Sequence, residues 1–219
     1  MKIIKIVIAF AILITVLNCS KITDKFSEKV EEKVNEKVNE ELKKTTEDEL
    51  NKDRKVNESL DDEKILKDPN GQWAIDADAS SSYSTAAGKN HSWSAEQMLG
   101  VPNVQNYGDN GSGWASKEAD KDIEWVKLTF ENAVYASEVR VRQNYNPGAI
   151  IKIELIDENG KSYVVWSGID KTKYRANSIE YFTAKFDKTK YKSKTVKITL
   201  SSKTVPGWNE IDAVQLVGE

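Results

Sequence analysis

The stretch "TVPGWNEIDAVQLVGE", residues 204–219, decides the fold and also carries a group of polar residues that requires an explanation. Pro206-Gly207 predicts a turn, because proline and glycine each supply a backbone angle that turns need. From Glu210 onward polar and apolar residues alternate, which predicts a β-strand. The tryptophan and polar residues at 208–210 leave two interpretations open. They form either a turn that leads into an edge strand, or the rim of a binding site.

Similar short alternating segments recur upstream. "DIEWVKLTF" (122–130) places Val126, Leu128 and Phe130 on one face, and "YASEVRVRQ" (135–143) places Tyr135, Val139 and Val141 on one face. Several short strands separated by turns, with no long helical pattern, predict an all-β, antiparallel sandwich. One short helix is expected in "SAEQML" (94–99), with Ser94 and Gln97 as a capping box.

The first twenty residues, "MKIIKIVIAFAILITVLNCS", predict a signal peptide over 1–18. Two lysines precede an apolar run that is shorter than the roughly 20 residues of a spanning helix. "VLNC" resembles the bacterial lipobox, and this resemblance implies that Cys19 carries lipid chains that bind the bilayer. The alternative is an uncleaved anchor with an incidental cysteine. Ser20 favours the outer membrane or cell surface over the inner membrane.

Residues 19–68 are predicted to form a charged, partly helical and partly flexible stalk. "SEKVEEKVNEKVNEEL" (27–42) repeats every four residues and pairs Lys with Glu three positions apart, which modestly stabilises a single helix. The simplest role for this segment is that of a spacer. The alternative is a helix that pairs with another protein.

The predicted folded domain covers 69–219. All six tryptophans and all eight tyrosines lie beyond Pro69. A segment of about 150 residues is long enough to bury a single core.

Composition excludes several classes of function. The net charge of -3 lacks the basic excess of a nucleic-acid binder. A single Cys and a single His permit neither an intrachain disulfide nor a Cys/His zinc cluster. Since no nucleophile elbow or phosphate loop is present, the chain is expected not to be an enzyme.

Five segments occur in an order that points to a family: "ADASSSYS" (77–84), "SAEQMLG" (94–100), "GWAS" (113–116), "EWVKLTFENAVYASEVRV" (124–141) and "GWNEIDAVQLVG" (207–218). They resemble the discoidin and coagulation-factor C domains, and therefore the galactose-binding-like jelly roll that many bacterial carbohydrate-binding modules share. The resemblance implies a jelly-roll sandwich over roughly 72–219. It also implies non-catalytic ligand binding through loops at one end of the sandwich.

The same resemblance implies a structural Ca²⁺ site. In relatives, a glutamate at the start of the last strand helps to hold the ion, and Glu210 occupies that position. The facing loop "GVPNVQNYGDNGSGW" (100–114) offers Asn103 and Asp109, while Asp212 is a lower-ranked ligand. Oxygen ligands of this kind suit calcium. The alternative is that Glu210 caps or forms a salt bridge within the sheet.

A ligand-binding rim is predicted at the same end of the sandwich. Sugars favour such a rim, because their CH faces stack on aromatic rings and their hydroxyls pair with amides and carboxylates. The candidate residues are Tyr107, Asn144, Tyr145, Asn146, Trp208 and Asn209. Alternatively, Trp208 packs over the end of the sandwich.

The sequence is consistent with two functions. The first is a membrane-anchored surface lipoprotein whose jelly roll binds a carbohydrate or similar ligand. The second is an assembly lipoprotein that docks onto another envelope protein.

Overall fold

A computed structural model of the protein describes residues 62–219 throughout, and before them only part of the stretch 33–52. The described positions in 33–52 are helical, and the predicted stalk over 19–68 stays a prediction. Thr45 Oγ1 donates to the Glu41 carbonyl at 2.8 Å, one turn earlier. Cys19 and the predicted signal peptide lie outside the described residues. Within the described part of the chain, no helix has both the length and the apolar character needed to cross a membrane.

Two antiparallel sheets form the domain, as the sequence predicted. One sheet has the strand order β1-β9-β4-β7 and the other β2-β3-β8-β5-β6. Residues 62–219 contain nine strands: β1 (Gly71–Trp73), β2 (Asp76–Ala79), β3 (Ile123–Val134), β4 (Ala136–Tyr145), β5 (Ile150–Asp157), β6 (Ser162–Ser167), β7 (Glu180–Lys185), β8 (Ser193–Ser201) and β9 (Glu210–Gly218). The expected all-β sandwich is therefore confirmed.

The core lies where the alternating residues of the two sheets meet. Val126, Leu128 and Phe130 of β3 are fully buried, as predicted. Tyr135 is 39% exposed, so its predicted inward orientation is wrong. The residue precedes β4, and a register shift between Ala136 and Glu138 puts Ala136 in the inward position instead.

The predicted helix is a single 3-10 turn, Ala95–Met98, and its predicted capping box is wrong. Ser94 occupies the N-cap position, but its hydroxyl donates to the Gly88 carbonyl at 2.9 Å. Gln97 donates to the carbonyls of Lys89 and His91 at 2.9 and 3.0 Å. Both side chains therefore hold the preceding loop in place, not the helix end.

Strand β9 is not an edge strand. It lies between β1 and β4 and is buried at every position. The segment before β1 covers its far end, where Gln215 donates to the Ile65 carbonyl at 3.0 Å. Loop 100–114 covers its near end, because Trp114 and Ile211 exchange backbone hydrogen bonds of 2.8 and 3.1 Å. The first residues of β9 therefore lie beneath that loop.

Candidate functional site

Asp212 fastens one part of loop 100–114 to the sheet. Its carboxylate is 2% exposed and forms an ion pair with the Arg142 guanidinium. Its Oδ1 accepts hydrogen bonds from the backbone N–H groups of Asn103 and Val104 at 3.2 and 3.3 Å. Burial raises the pKa of Asp212, while the guanidinium and the two N–H groups favour its ionised form. Both oxygens have partners, so this site is complete.

Glu210 fastens another part of the same loop, but within residues 62–219 no lysine or arginine forms an ion pair with it. Its Oε2 accepts hydrogen bonds from the Asn110 N–H at 3.0 Å and from Asn144 Nδ2 at 2.5 Å. Its Oε1 is buried and has no hydrogen-bond partner among the residues that the structure describes. Burial raises the pKa of Glu210 to about 7, and the negative charge of neighbouring Asp109 acts in the same direction.

Three aromatic rings stand above Glu210, and we call Tyr83, Trp93 and Trp208 the aromatic cup. Tyr83 meets Trp93 edge to face, with centroids 5.2 Å apart and planes at 72°. It meets Trp208 in the same manner at 5.7 Å and 88°. Trp208 is 37% exposed and Tyr83 is 50% exposed, so the cup opens to solvent.

Indole N–H groups fix the two tryptophans of the cup. Trp93 Nε1 donates to Asp109 Oδ1 at 3.0 Å, which places this carboxylate against the ring. Trp208 Nε1 donates to the Ser116 carbonyl at 3.1 Å. These bonds tie the polar edge of each indole to the protein.

A pocket of about 70 Å³ lies between the cup and the two carboxylates. It is much smaller than the several hundred Å³ of a site that encloses a whole ligand. It therefore suits a single substituent of a larger molecule. Its lining consists of Tyr83, Trp93, Asp109, Ala115, Trp208 and Glu210.

The turn before β9 positions Trp208. Gly207 has a positive φ of 91°, which favours glycine, and its N–H donates to Asp120 at 2.8 Å. Asn146 Nδ2 donates to the Trp208 carbonyl at 3.0 Å, and Asn209 Nδ2 returns a bond of 2.9 Å to the Asn146 carbonyl. The amides predicted for the ligand rim thus brace the turn that presents the ring.

The structure separates the predicted rim residues. Trp208 lies at the pocket, whereas Asn144 and Asn209 are buried, with 0% and 5% exposure, beneath it. Tyr107 and Tyr145 form a separate pair with centroids 5.5 Å apart, and the Tyr107 hydroxyl and Asn146 Oδ1 lie 3.3 Å apart. None of these five residues contributes to the lining of the pocket.

Sequence reasoning missed Tyr83 and Trp93 as site residues. Each is a single aromatic residue in a serine-rich loop, "SSYS" (81–84) and "HSWS" (91–94). A large aromatic side chain in an otherwise small and polar loop is the signal that could have identified both.

The three predicted calcium ligands do not come together. Asp109 and Glu210 line one pocket, but Asn103 belongs to the Asp212 site through its N–H group. Asp212 already has a guanidinium as its cation. Residues 62–219 contain no cluster of three or more His, Cys, Asp or Glu side chains that could hold a metal. The predicted set therefore does not fit the ion as a group.

Comparison with solved structures finds carbohydrate-binding modules as well as enzymes such as allantoicase. Chitosan-binding module 1 from a chitosanase/glucanase of Paenibacillus sp. IK-5 is 16% identical, with 65% of this chain and 94% of that chain covered and a TM-score of 0.46. The module CpGH89CBM32-5 of Clostridium perfringens, in complex with GalNAc-β-1,3-galactose, is 14% identical, with 68% and 96% covered and a TM-score of 0.47.

Comparison with sequences returns a curated relative and a family. F-box/LRR-repeat protein 4 of Bos taurus is 28% identical over 104 residues, which are 43% of this chain. The match spans only 17% of that protein. The sequence model of one family matches residues 66–219, the whole β-sandwich described above. The chain therefore belongs to the family described as Pappalysin-1, SD scarf domain, C-terminal.

Proposed function

We propose that the β-sandwich is a non-catalytic module that binds carbohydrate at the aromatic cup. The observation that carries this proposal is the combination of half-exposed aromatic faces with two carboxylates at their base. Apolar CH faces of a sugar pack on aromatic rings, and a few placed polar groups then fix its orientation. The carboxylates of Asp109 and Glu210 are strong hydrogen-bond acceptors for such a ligand.

The arrangement of the carboxylates supports binding over hydrolysis. Glycosidases place two carboxyl groups about 5–9.5 Å apart on opposite sides of the scissile bond. Here Asp109 and Glu210 are neighbours in one small pocket, and Glu210 is 1% exposed.

A glycan array with the full-length chain in mild detergent tests this function. We expect a restricted set of glycans to bind, and Trp208→Ala to lose binding while the fold is retained. Trp125→Ala is the matched control, because this partly buried tryptophan of β3 does not line the pocket. An array without any bound glycan, together with an envelope protein recovered by crosslinking in cells, would instead favour the assembly function.

We also propose that the chain is lipid-anchored to the cell envelope through Cys19. The charged start, the short apolar run and "VLNC" support this proposal. Several acyl chains together anchor durably, whereas a single chain binds a membrane only marginally. Cys19→Ser should abolish acyl labelling and release the chain from membranes, and labelling that persists in this variant would contradict the anchor.

Calcium binding at Glu210 stays a prediction. A ligand that binds only the folded state stabilises it by RT ln(1 + [L]/Kd). If the ion binds, Ca²⁺ should raise the melting temperature, a chelator should reverse the increase, and Glu210→Gln should abolish it. An unchanged melting temperature in millimolar Ca²⁺ would show that this site does not bind calcium.

A further inference from the structure

The pocket under the aromatic cup combines features that suit a positively charged group. Tyr83 stands nearly perpendicular to both tryptophans, at 72° and 88°, so the three rings form walls instead of a stack. Aromatic faces attract cations that lie within about 6 Å of their centroids. Rings set at right angles surround such a group from several directions.

The base of the pocket supplies negative charge without a cation. Asp109 and Glu210 both line it, and within residues 62–219 neither forms an ion pair with a lysine or arginine. Glu210 is 1% exposed, and its Oε1 has no hydrogen-bond donor. A buried acceptor without a donor is costly, so a donor that enters the pocket restores a lost interaction.

The choice of cation follows from the chemistry of the lining. Calcium needs six to eight oxygen ligands, and three of the six lining residues present aromatic rings. A hydroxyl group supplies one donor and no charge, whereas an ammonium group supplies three donors and a full charge. The pocket of about 70 Å³ admits such a group but not the sugar ring that carries it.

We propose that the pocket recognises the free ammonium group of an amino sugar. This inference rests on the proposed function, because it takes the aromatic cup as the carbohydrate site. The ammonium group lies against Asp109 and Glu210. The sugar ring stays outside and packs on the exposed parts of Trp208 and Tyr83. An N-acetylated sugar lacks the charge, and its acetyl group places a carbonyl oxygen near the two carboxylates.

Isothermal titration of the full-length chain tests the proposal with matched probes. A β-1,4-linked glucosamine tetramer should bind at least about tenfold more tightly than the N-acetylglucosamine tetramer. Glu210→Gln and Asp109→Asn should each reduce this preference at least about threefold. Glu158→Gln, a charge removal at an exposed turn, should leave it unchanged.

Other outcomes separate this inference from the proposed function. Equal binding of the two tetramers, lost in Trp208→Ala, would overturn the ammonium proposal while the cup stays a sugar site. Loss of binding in EGTA would overturn it in favour of a metal. Tighter binding of an Nα-acetyl-lysine amide than of glucosamine would overturn it in favour of a peptide ligand. If neither tetramer binds, the ammonium proposal fails. If no glycan on the array binds either, the proposed carbohydrate-binding function is also wrong.

Discussion

Glu210 and Asp212 lie on the same face of β9 and hold the same loop, but their surroundings differ in one respect. Asp212 meets a guanidinium and two backbone N–H groups, so every charge and acceptor there has a partner. Glu210 meets an N–H group, an amide and a second carboxylate, and one of its oxygens has no partner. The comparison distinguishes a buried carboxylate that is structurally complete from one that an external proton or cation would complete.

The largest expected effect concerns the complete site. Arg142→Ala removes the cation from Asp212 and leaves a carboxylate buried without its partner charge. Breaking a buried pair in this way costs about 3–5 kcal/mol of the free energy of unfolding. Urea unfolding of the variant measures this loss.

Lys121→Ala provides the control for Arg142→Ala. It breaks the ion pair between Lys121 and Glu118, whose side chains are 60% and 51% exposed, respectively. Because exposed ion pairs contribute little, the midpoint of unfolding should stay unchanged. Equal effects of the two substitutions would contradict the idea that Asp212 depends on its cation.

The second prediction is a pH dependence specific to Glu210. Its pKa is about 7 in the folded state and 4.5 in the unfolded chain, so the folded state binds more protons between these values. Stability contributed by this group is therefore present below pH 4.5 and is lost as the pH rises through 7. The full loss corresponds to about 3 kcal/mol.

Glu210→Gln should remove this part of the pH dependence. The free energy of unfolding of Glu210→Gln is compared with that of the native chain at pH 5 and at pH 8. The difference between the two proteins should shift in favour of the variant at pH 8. Groups with lowered pKa, such as Asp157, act equally in both proteins and cancel in the difference. A difference that does not change with pH would show that Glu210 titrates normally.

The third prediction tests how firmly Glu210 is held. A Cβ at Gly113 would lie 2.6 Å from Asn144 Oδ1, and Asn144 is the amide bonded to Glu210. Gly113→Ala should displace this amide and cost roughly 1–3 kcal/mol, the range for overpacking. The nearby Ser112→Ala should cost little, because within residues 62–219 Ser112 uses its backbone N–H, which donates to Asn110 Oδ1, and its hydroxyl forms no hydrogen bond. If Gly113→Ala were neutral, Asn144 would not be a firm support for Glu210.

The sequence predicted the sandwich well, because alternation in strands such as β3 records which side chains face the core. The start of β9 was also predicted, but its alternation did not show that both faces of this strand are buried. Glu210 could be placed at the start of its strand for the same reason. The partners of the two carboxylates could not be predicted. Arg142 and Asp212 are 70 positions apart, and only the pairing of β4 with β9 brings them together.

The cup was harder to predict than the sheets. Tyr83 and Trp93 lie in loops without periodicity, so no pattern shows which way their rings point. The distinction between Trp208 as rim and Trp208 as packing also depended on the loops around it. Trp208, which is 37% exposed, contacts Tyr83 and accepts a hydrogen bond from Asn146, and both residues are distant from it in sequence.

The smallest expected effect on stability belongs to Trp93, where the expected effect on binding is large. Trp93 has a φ of 57°, a left-handed conformation that costs a bulky L-residue about 1–2 kcal/mol. Asparagine tolerates this conformation, so Trp93→Asn relieves strain while it removes the contact with Tyr83 and the bond to Asp109. These effects oppose one another, and the melting temperature should stay within a few degrees.

The cup loses one wall, so binding of the glucosamine tetramer should fall below detection. Trp125→Asn makes the same substitution in β3, outside the pocket, and should leave binding intact whatever it costs in stability. Retained binding in Trp93→Asn would show that the strained tryptophan stabilises its loop and does not bind the ligand. The aromatic rings beside Glu210 would then not form a cation site, and this difference from Asp212 would disappear.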